Sequence, residues 1–242
     1  MPLAQILALR EAYRREMACQ IVHDSWHARG FTRSYLLRVG GQVAGYGSVG
    51  GVPSEPGDVV KEFHLLPRFR ESALPLFRRL VAARGARRIK AQTNAPLLLR
   101  MLLACAVAIS APKLLFADAL ATEHTSPGTI FRPLAGGEGD GVFAHTHEPV
   151  GEYVLEHAGE VVATGGLTFH YNPPFADLYM EVAAAHRRRG FGSYLVQRLK
   201  RVCREMGHVP AARCDDTNLA SRRTLERAGM TPCGRIAEGG IA

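Results

Sequence analysis

Arg187, Arg188, Arg189, Gly190 and Gly192 stand in one short run, between an apolar stretch ending at Val182 and a second beginning at Leu195. The three guanidinium groups stay charged throughout the physiological pH range. Glycine lets a ligand approach the main chain closely, because no Cβ stands in the way. A helix that opens on such a turn presents unpaired N–H groups at the positive end of its dipole. These residue types at this spacing suit the capture of a phosphate, and a pyrophosphate better than a single one. Two common phosphate loops are excluded. Leu195 occupies the place of the third glycine of the dinucleotide fingerprint, and no glycine precedes a Lys-Ser or Lys-Thr pair as a Walker loop requires.

The elements that must position this run follow from periodicity. Leu195, Val196, Leu199, Val202 and Cys203 recur at helical spacing, with Arg198, Lys200, Arg201 and Arg204 on the other face. Ahead of the turn, Ala176–Val182 reads as a strand. Beyond the helix, Pro210–Cys214 reads as a strand, a helix runs from near Asn218 to the capping Gly229, and Cys233–Ala237 reads as a final edge strand.

An internal repeat organises the rest. Tyr35, Gly41, Val43 and Gly47 match Tyr153, Gly159, Val161 and Gly165 at constant offset, and each set reads as a β-hairpin (34–50 and 152–171). Thr93-Asn94 and Thr217-Asn218 each precede a helix. The repeat predicts a duplicated domain, residues 1–124 and 125–242, joined through the linker-like segment Thr122–Gly128. In the first copy, helices are expected over 2–29, 72–83 and 97–106 and a strand over 59–66. Its turn, Pro67-Arg68-Phe69-Arg70-Glu71-Ser72, has no glycine, so no phosphate cradle is expected there.

Composition sets the outer bounds. With 242 residues, 47% hydrophobic and 21% charged, the chain is of ordinary globular type, and the net charge of +8 points to an acidic ligand or partner. The five cysteines form no C-x-x-C pair, which argues against a structural zinc site or disulfide framework and for a cytoplasmic setting. His145 and His147 have no cysteine beside them and read as surface histidines, so no metal is expected. Leu97–Ile109 is too short to span a bilayer and contains Arg100; no membrane role is expected. Nucleic acid is set aside because the aromatics are few and not interleaved with the basic residues, as stacking platforms require.

The order hairpin, strand, R-x-x-G-x-G, helix, strand, N-x-x-S helix resembles the GNAT superfamily of acyl-CoA N-acyltransferases over residues 130–240, with residues 1–120 as a degenerate copy. Val182 and Arg187 keep the family's spacing, Gly190 and Gly192 occupy the motif glycines, and Asn218 with Ser221 matches the helix after the fifth strand. The resemblance implies two α+β domains, each a mixed, mostly antiparallel sheet flanked by helices. It implies acetyl-CoA as co-substrate and a small-molecule amine or peptide as acceptor, with monomer and homodimer both open. Met180, Val182, Arg187, Arg188, Arg189, Gly190, Phe191, Gly192, Ser193, Asn218 and Ser221 are the expected acyl-CoA-binding residues. The family's usual base positions hold Ala176 and Leu178, and its usual tyrosine position holds Leu225. Glu181 is therefore the first candidate base, since desolvation beside a thioester drives a carboxylate toward neutral pKa, and Tyr171 is a second catalytic candidate. Asp177, Tyr179 and His170 remain alternatives, and Asp215 with Asp216 is expected at the acceptor mouth. A non-catalytic acyl-CoA sensor is the alternative function.

Overall fold

The computed structural model describes residues 3–17, 24–51, 57–136, 143, 152–169 and 172–241. The chain forms two compact units, one of Met1–Lys113 with Gly234–Ala242 and one of Leu114–Cys233. The sequence placed the division at residue 124. The units part earlier because the apolar run after residue 105 continues through Pro112 as one strand to Asp118, whose Leu114 and Phe116 enter the second core.

In the first unit, α1 (Leu7–Met17) and α2 (Asp24–Ala28) precede the hairpin β1 (Thr32–Val39) and β2 (Gln42–Gly50). Then come β3 (Val59–Leu65), α3 (Ala73–Arg84), β4 (Arg88–Gln92), α4 (Pro96–Cys105) and the first part of β5 (Ala106–Asp118). β1, β2 and β3 are antiparallel neighbours; β3 runs parallel to β4 over Val59↔Arg88 and Val60↔Ile89. The chain's last segment pairs antiparallel with β4, from Ile236↔Gln92 to Gly240↔Arg88. Ala73, Leu76, Phe77 and Leu80 recur at helical spacing and bury one face of α3. The helix stops at Gly85, whose left-handed backbone returns its N–H to Val81 O. Leu98, Met101 and Leu102 of α4 share that core with Phe63, Leu65, Ile89 and Ala91 of the sheet. Tyr13 and Met17 of α1 pack on Tyr46 in a separate cluster.

The second unit holds β6 (Thr129–Pro133), β7 (Tyr153–His157), β8 (Glu160–Thr168), β9 (Phe175–Val182), α5 (Phe191–Glu205), β10 (Val209–Asp215) and α6 (Leu219–Arg227). β11 (Met230–Ile241) begins there, longer at both ends than the edge strand expected at 233–237. β6 to β9 are antiparallel in chain order, and β9 runs parallel to β10. Leu195, Val196, Leu199 and Cys203 of α5 pack on Ala163, Leu167, Ala176 and Leu178. Lys200 departs from the expected polar face: it is 2% exposed. Its Nζ donates to Leu120 O at 2.7 Å and Ala228 O at 2.6 Å, and lies 2.8 Å from Asp118 Oδ1. A buried ammonium is tolerated because three oxygens replace its water. Tyr35 lies opposite Gly47 and Tyr153 opposite Gly165, so the matched residues hold the same register in both hairpins.

Candidate active site

At the end of β9 the Ala183 N–H still donates to Val162 O, at 3.0 Å, and a single 3-10 turn (Ala184–His186) follows. Arg188 (φ 63°) and Gly190 (φ 87°) are both left-handed. Left-handed residues flanking Arg189 turn successive amides toward one side, as in an anion-binding nest. Among the described residues, no acceptor takes the backbone N–H groups of residues 188–193; the first one used is that of Tyr194, bonded to Gly190 O at 3.1 Å. Six consecutive amides therefore stay free where the dipole of the 15-residue α5 is positive. Arg187, Arg188, Arg189 and Gly190 are all exposed. Arg187 Nε donates to Val182 O at 3.2 Å, and the Arg189 guanidinium lies 5.2 Å from the Phe191 ring centre and 3.0 Å from His186 Nδ1.

Several expected residues act otherwise than the sequence suggested. The Phe191 side chain is buried beside His157, leaving only its N–H for a ligand. Ser193 Oγ donates to Thr224 O at 3.3 Å, so its hydroxyl serves the packing of α5 on α6. Gly192 also faces packing: a Cβ there would lie 3.0 Å from Thr224 Cγ2 and 3.4 Å from Val182 Cγ2.

β9 and β10 pair over three rows, Val209↔Phe175, Pro210↔Ala176 and Ala211↔Asp177, and then separate. Beyond the fork, Leu178–Val182 keeps its ladder to β8 on one edge only, which leaves main-chain donors and acceptors along the other. An extended amide-bearing ligand can pair there as an added strand does. Met180 and Val182 turn their side chains toward the α5 core. Asn218 caps α6, with Oδ1 accepting from Ser221 N at 3.0 Å, and its side chain is exposed. The Ser221 side chain shares a hydrogen bond with the Cys214 thiol, whose pKa burial pushes up.

On the opposite face of β9 stand Asp177, Tyr179 and Glu181, by the two-residue alternation of a strand. Tyr179 donates its hydroxyl to Glu181 Oε2 at 3.0 Å. Burial, and then this carboxylate, push the phenol well above its ordinary pKa, so it remains a proton donor. Asp177 is 7% exposed, and burial pushes its carboxyl up to about 8. Arg213 Nε lies 3.3 Å from Asp177 Oδ2 and pulls the other way, while Oδ1 has no partner among the described residues. Arg213 escaped the sequence argument, although A-R-C on an alternating strand places it on this face. Tyr171, His170, His145 and His147 lie outside the described residues.

The first unit has the same fork but neither the cradle nor the open face. Its turn, Pro67–Ser72, is 3-10 helical, with no left-handed residue between 66 and 84. The face of β3 that matches Tyr179 carries Glu62, 3% exposed. Glu62 Oε2 is bonded by Arg10 of α1, by His27 Nε2 at 2.9 Å and by Ser48 Oγ at 3.2 Å. Although burial opposes ionisation, Arg10 and His27 together hold the Glu62 carboxyl down at about 2. Asp24 binds Arg10 on its other side and Arg14 at 2.6 Å. Nothing in the sequence pattern joins residues 52 positions apart, which is why this cluster was missed.

Residues 118–230 match the acetyltransferase (GNAT) family. An acetyltransferase of the GNAT family from Colwellia psychrerythraea aligns over 100% of this chain and 98% of its own, with TM-score 0.77 and 18% identity. A GCN5-related N-acetyltransferase from Sphaerobacter thermophilus aligns over 86% and 80%, with TM-score 0.57 and 16% identity. A tandem GNAT protein from the clavulanic acid biosynthesis pathway covers 88% and 84%, with TM-score 0.56 and 14% identity. At these identities the likeness is one of fold. No curated protein matches by sequence. Among the described residues no cluster of metal-ligating side chains occurs, and no helix is long and apolar enough to cross a membrane.

Proposed function

We propose that the chain is a cytoplasmic N-acetyltransferase, moving an acetyl group from acetyl-CoA to a primary amine by direct transfer. The site belongs to the second unit, Leu114–Cys233, and the first unit lacks a phosphate cradle. The observation that carries the reading is the set of six free amides, 188–193, on the turn that follows the open-edged strand β9. The amides and Arg187, Arg188 and Arg189 hold the pyrophosphate, each charge-assisted bond contributing about 1.5–3 kcal/mol. The edge Leu178–Val182 pairs with the pantetheine amides, and the Asn218 carboxamide approaches from the α6 side.

Bound acetyl-CoA supplies an activated thioester; the protein supplies position and proton handling. Attack needs a neutral amine, so a group on the Asp177–Glu181 face must take a proton. Glu181 receives it, with Tyr179 as the donor that holds Glu181 in place and returns a proton toward the departing thiolate. Tyr171 is the further candidate, and Asp215 and Asp216 draw the cationic acceptor toward the fork. Purified protein should release free thiol from acetyl-CoA only when an amine is present. If thiol release stays at the buffer rate across an amine panel while calorimetry detects bound acetyl-CoA, the protein is a sensor. That second reading is favoured by the buried apolar Ala176, Leu178 and Leu225, which fill the family's usual acid and base positions.

A further inference from the structure

The positive charge of the chain is not shared between its two units. Residues 1–113 with 234–242 carry eighteen Lys and Arg against eight Asp and Glu, whereas residues 114–233 carry twelve against fourteen. The excess is concentrated further, since the 46 residues from Ser72 to Ala117 contain eight Lys and Arg and no carboxylate. Both α3 and α4 lie in that stretch, and both bury their apolar sides on the same sheet core. Arg78 and Arg79 of α3, Arg87 just beyond it and Arg100 of α4 are exposed, as is Arg84, which follows Leu80 by one turn at the end of α3. None of these five has an ion-pair partner among the described residues; Arg84 lies flat over the Tyr35 ring, 4.0 Å from its centre.

Uncompensated like charge destabilises a compact unit through self-repulsion, and an extended anion relieves it. We propose that this face of the N-terminal unit binds the phosphate backbone of duplex nucleic acid without reading sequence. Binding here is independent of acyl transfer. The scarcity of aromatics argues against stacked single strands, but a duplex backbone asks only for spaced cations. Arginine suits it, since the planar fork matches phosphate oxygens. An anionic membrane is the weaker fit. Among the described residues of α3 and α4, Leu103 is the sole large apolar side chain that is exposed, short of the apolar face that adsorption to lipid needs.

The test is fluorescence anisotropy with a labelled 20-base-pair DNA duplex of random sequence and the full chain, titrated at several salt concentrations. Five phosphate contacts give a slope of about −4 to −5 in log K against log salt, or roughly a 500-fold loss of affinity between 50 and 200 mM. The double variant R78Q/R79Q should lower that slope by about 2, with an unchanged melting temperature because both side chains are solvated. R198Q/R201Q, in the other unit, should leave it unchanged. The proposal is overturned if the duplex does not bind at 50 mM salt, or if R78Q/R79Q leaves the slope intact. It is equally overturned if vesicles of phosphatidylserine and phosphatidylcholine compete the duplex away from this face at matched charge.

Discussion

The cradle can be tested through its backbone conformation rather than its charge. Gly190 has φ +87° at the start of α5, and Gly207 has φ +78° just past its end; a Cβ at either would meet nothing within 4 Å. Valine at either position therefore brings no clash, only a left-handed backbone that a β-branched residue resists. The strain is about 1–2 kcal/mol in both, and for a chain of this size it lowers the melting temperature by roughly 2–8 °C. The two variants should diverge in binding. Where the turn relaxes at residue 190, the N–H groups of Gly190 and Phe191 swing off the anion. Two charge-assisted bonds at about 1.5–3 kcal/mol each then raise the Kd for CoA by roughly 10²- to 10⁴-fold. Gly207→Val removes no amide from the cradle and should keep the wild-type Kd. Isothermal calorimetry with CoA, paired with thermal melts, reads both quantities. If Gly190→Val melts early like Gly207→Val but binds CoA within threefold of wild type, the six amides are not the pyrophosphate site.

Tyr179→Phe should lower kcat by roughly 10- to 100-fold in the thiol-release assay while leaving the calorimetric Kd for CoA unchanged, because the hydroxyl serves proton handling and not the cradle. Glu62→Gln should destabilise the fold by about 3–5 kcal/mol in urea, since Arg10, 1% exposed, is left without its buried carboxylate. The Glu62 carboxyl is held at about 2 against 4.5 when unfolded, so its contribution is present above pH 4.5 and lost as pH falls through 2; melts at descending pH should show this acid limb in the wild type and not in Glu62→Gln. Asp177 shifts the other way, from 3.8 to about 8, so folded protein binds the extra proton and stability falls as pH rises from about 4 to 8. The slope is at most about 1.4 kcal/mol per pH unit, reduced by Arg213, and Asp177→Asn should flatten it in urea titrations at pH 5 and pH 8.

Local patterns with a fixed period were legible in the sequence: the helix of Leu195, Leu199 and Cys203, the two hairpins, and the strand–turn–helix order that places the cradle. Contacts set by tertiary packing were not. Lys200 sits on what reads as the polar face of α5, and only the carbonyls of Leu120 and Ala228 reveal why it is buried. Gly192 reads as a ligand-facing glycine, and only the approach of Thr224 and Val182 shows that helix packing also favours a small residue there. Asp177 was named from its place on the strand, but its partner Arg213 belongs to another strand 36 residues on, joined by a parallel pairing no local period encodes.

The repeat was legible for a physical reason that also explains how the two copies came to differ. A Cβ on Gly47 would lie 2.4 Å from Leu80 Cδ2 of α3, and one on Gly165 would lie 2.9 Å from Leu199 Cδ1 of α5. In each unit the helix crosses the sheet over the hairpin glycine, so that residue is fixed by packing whatever the unit does. No such constraint acts on the turn ahead of the helix or on the far face of the preceding strand. Register places Phe63 opposite Gly47 and Met180 opposite Gly165, which matches Glu62 with Tyr179 and His64 with Glu181. In the first unit the matched face is closed by the guanidinium of Arg10 on Glu62, and the turn has lost its left-handed residues. In the second, Arg188 and Gly190 keep the amides free, and the face carries a proton donor bonded to a carboxylate. The same frame therefore supports one unit built around an internal ion pair and one that leaves its turn amides free, and the difference rests on a handful of side chains that the core does not constrain.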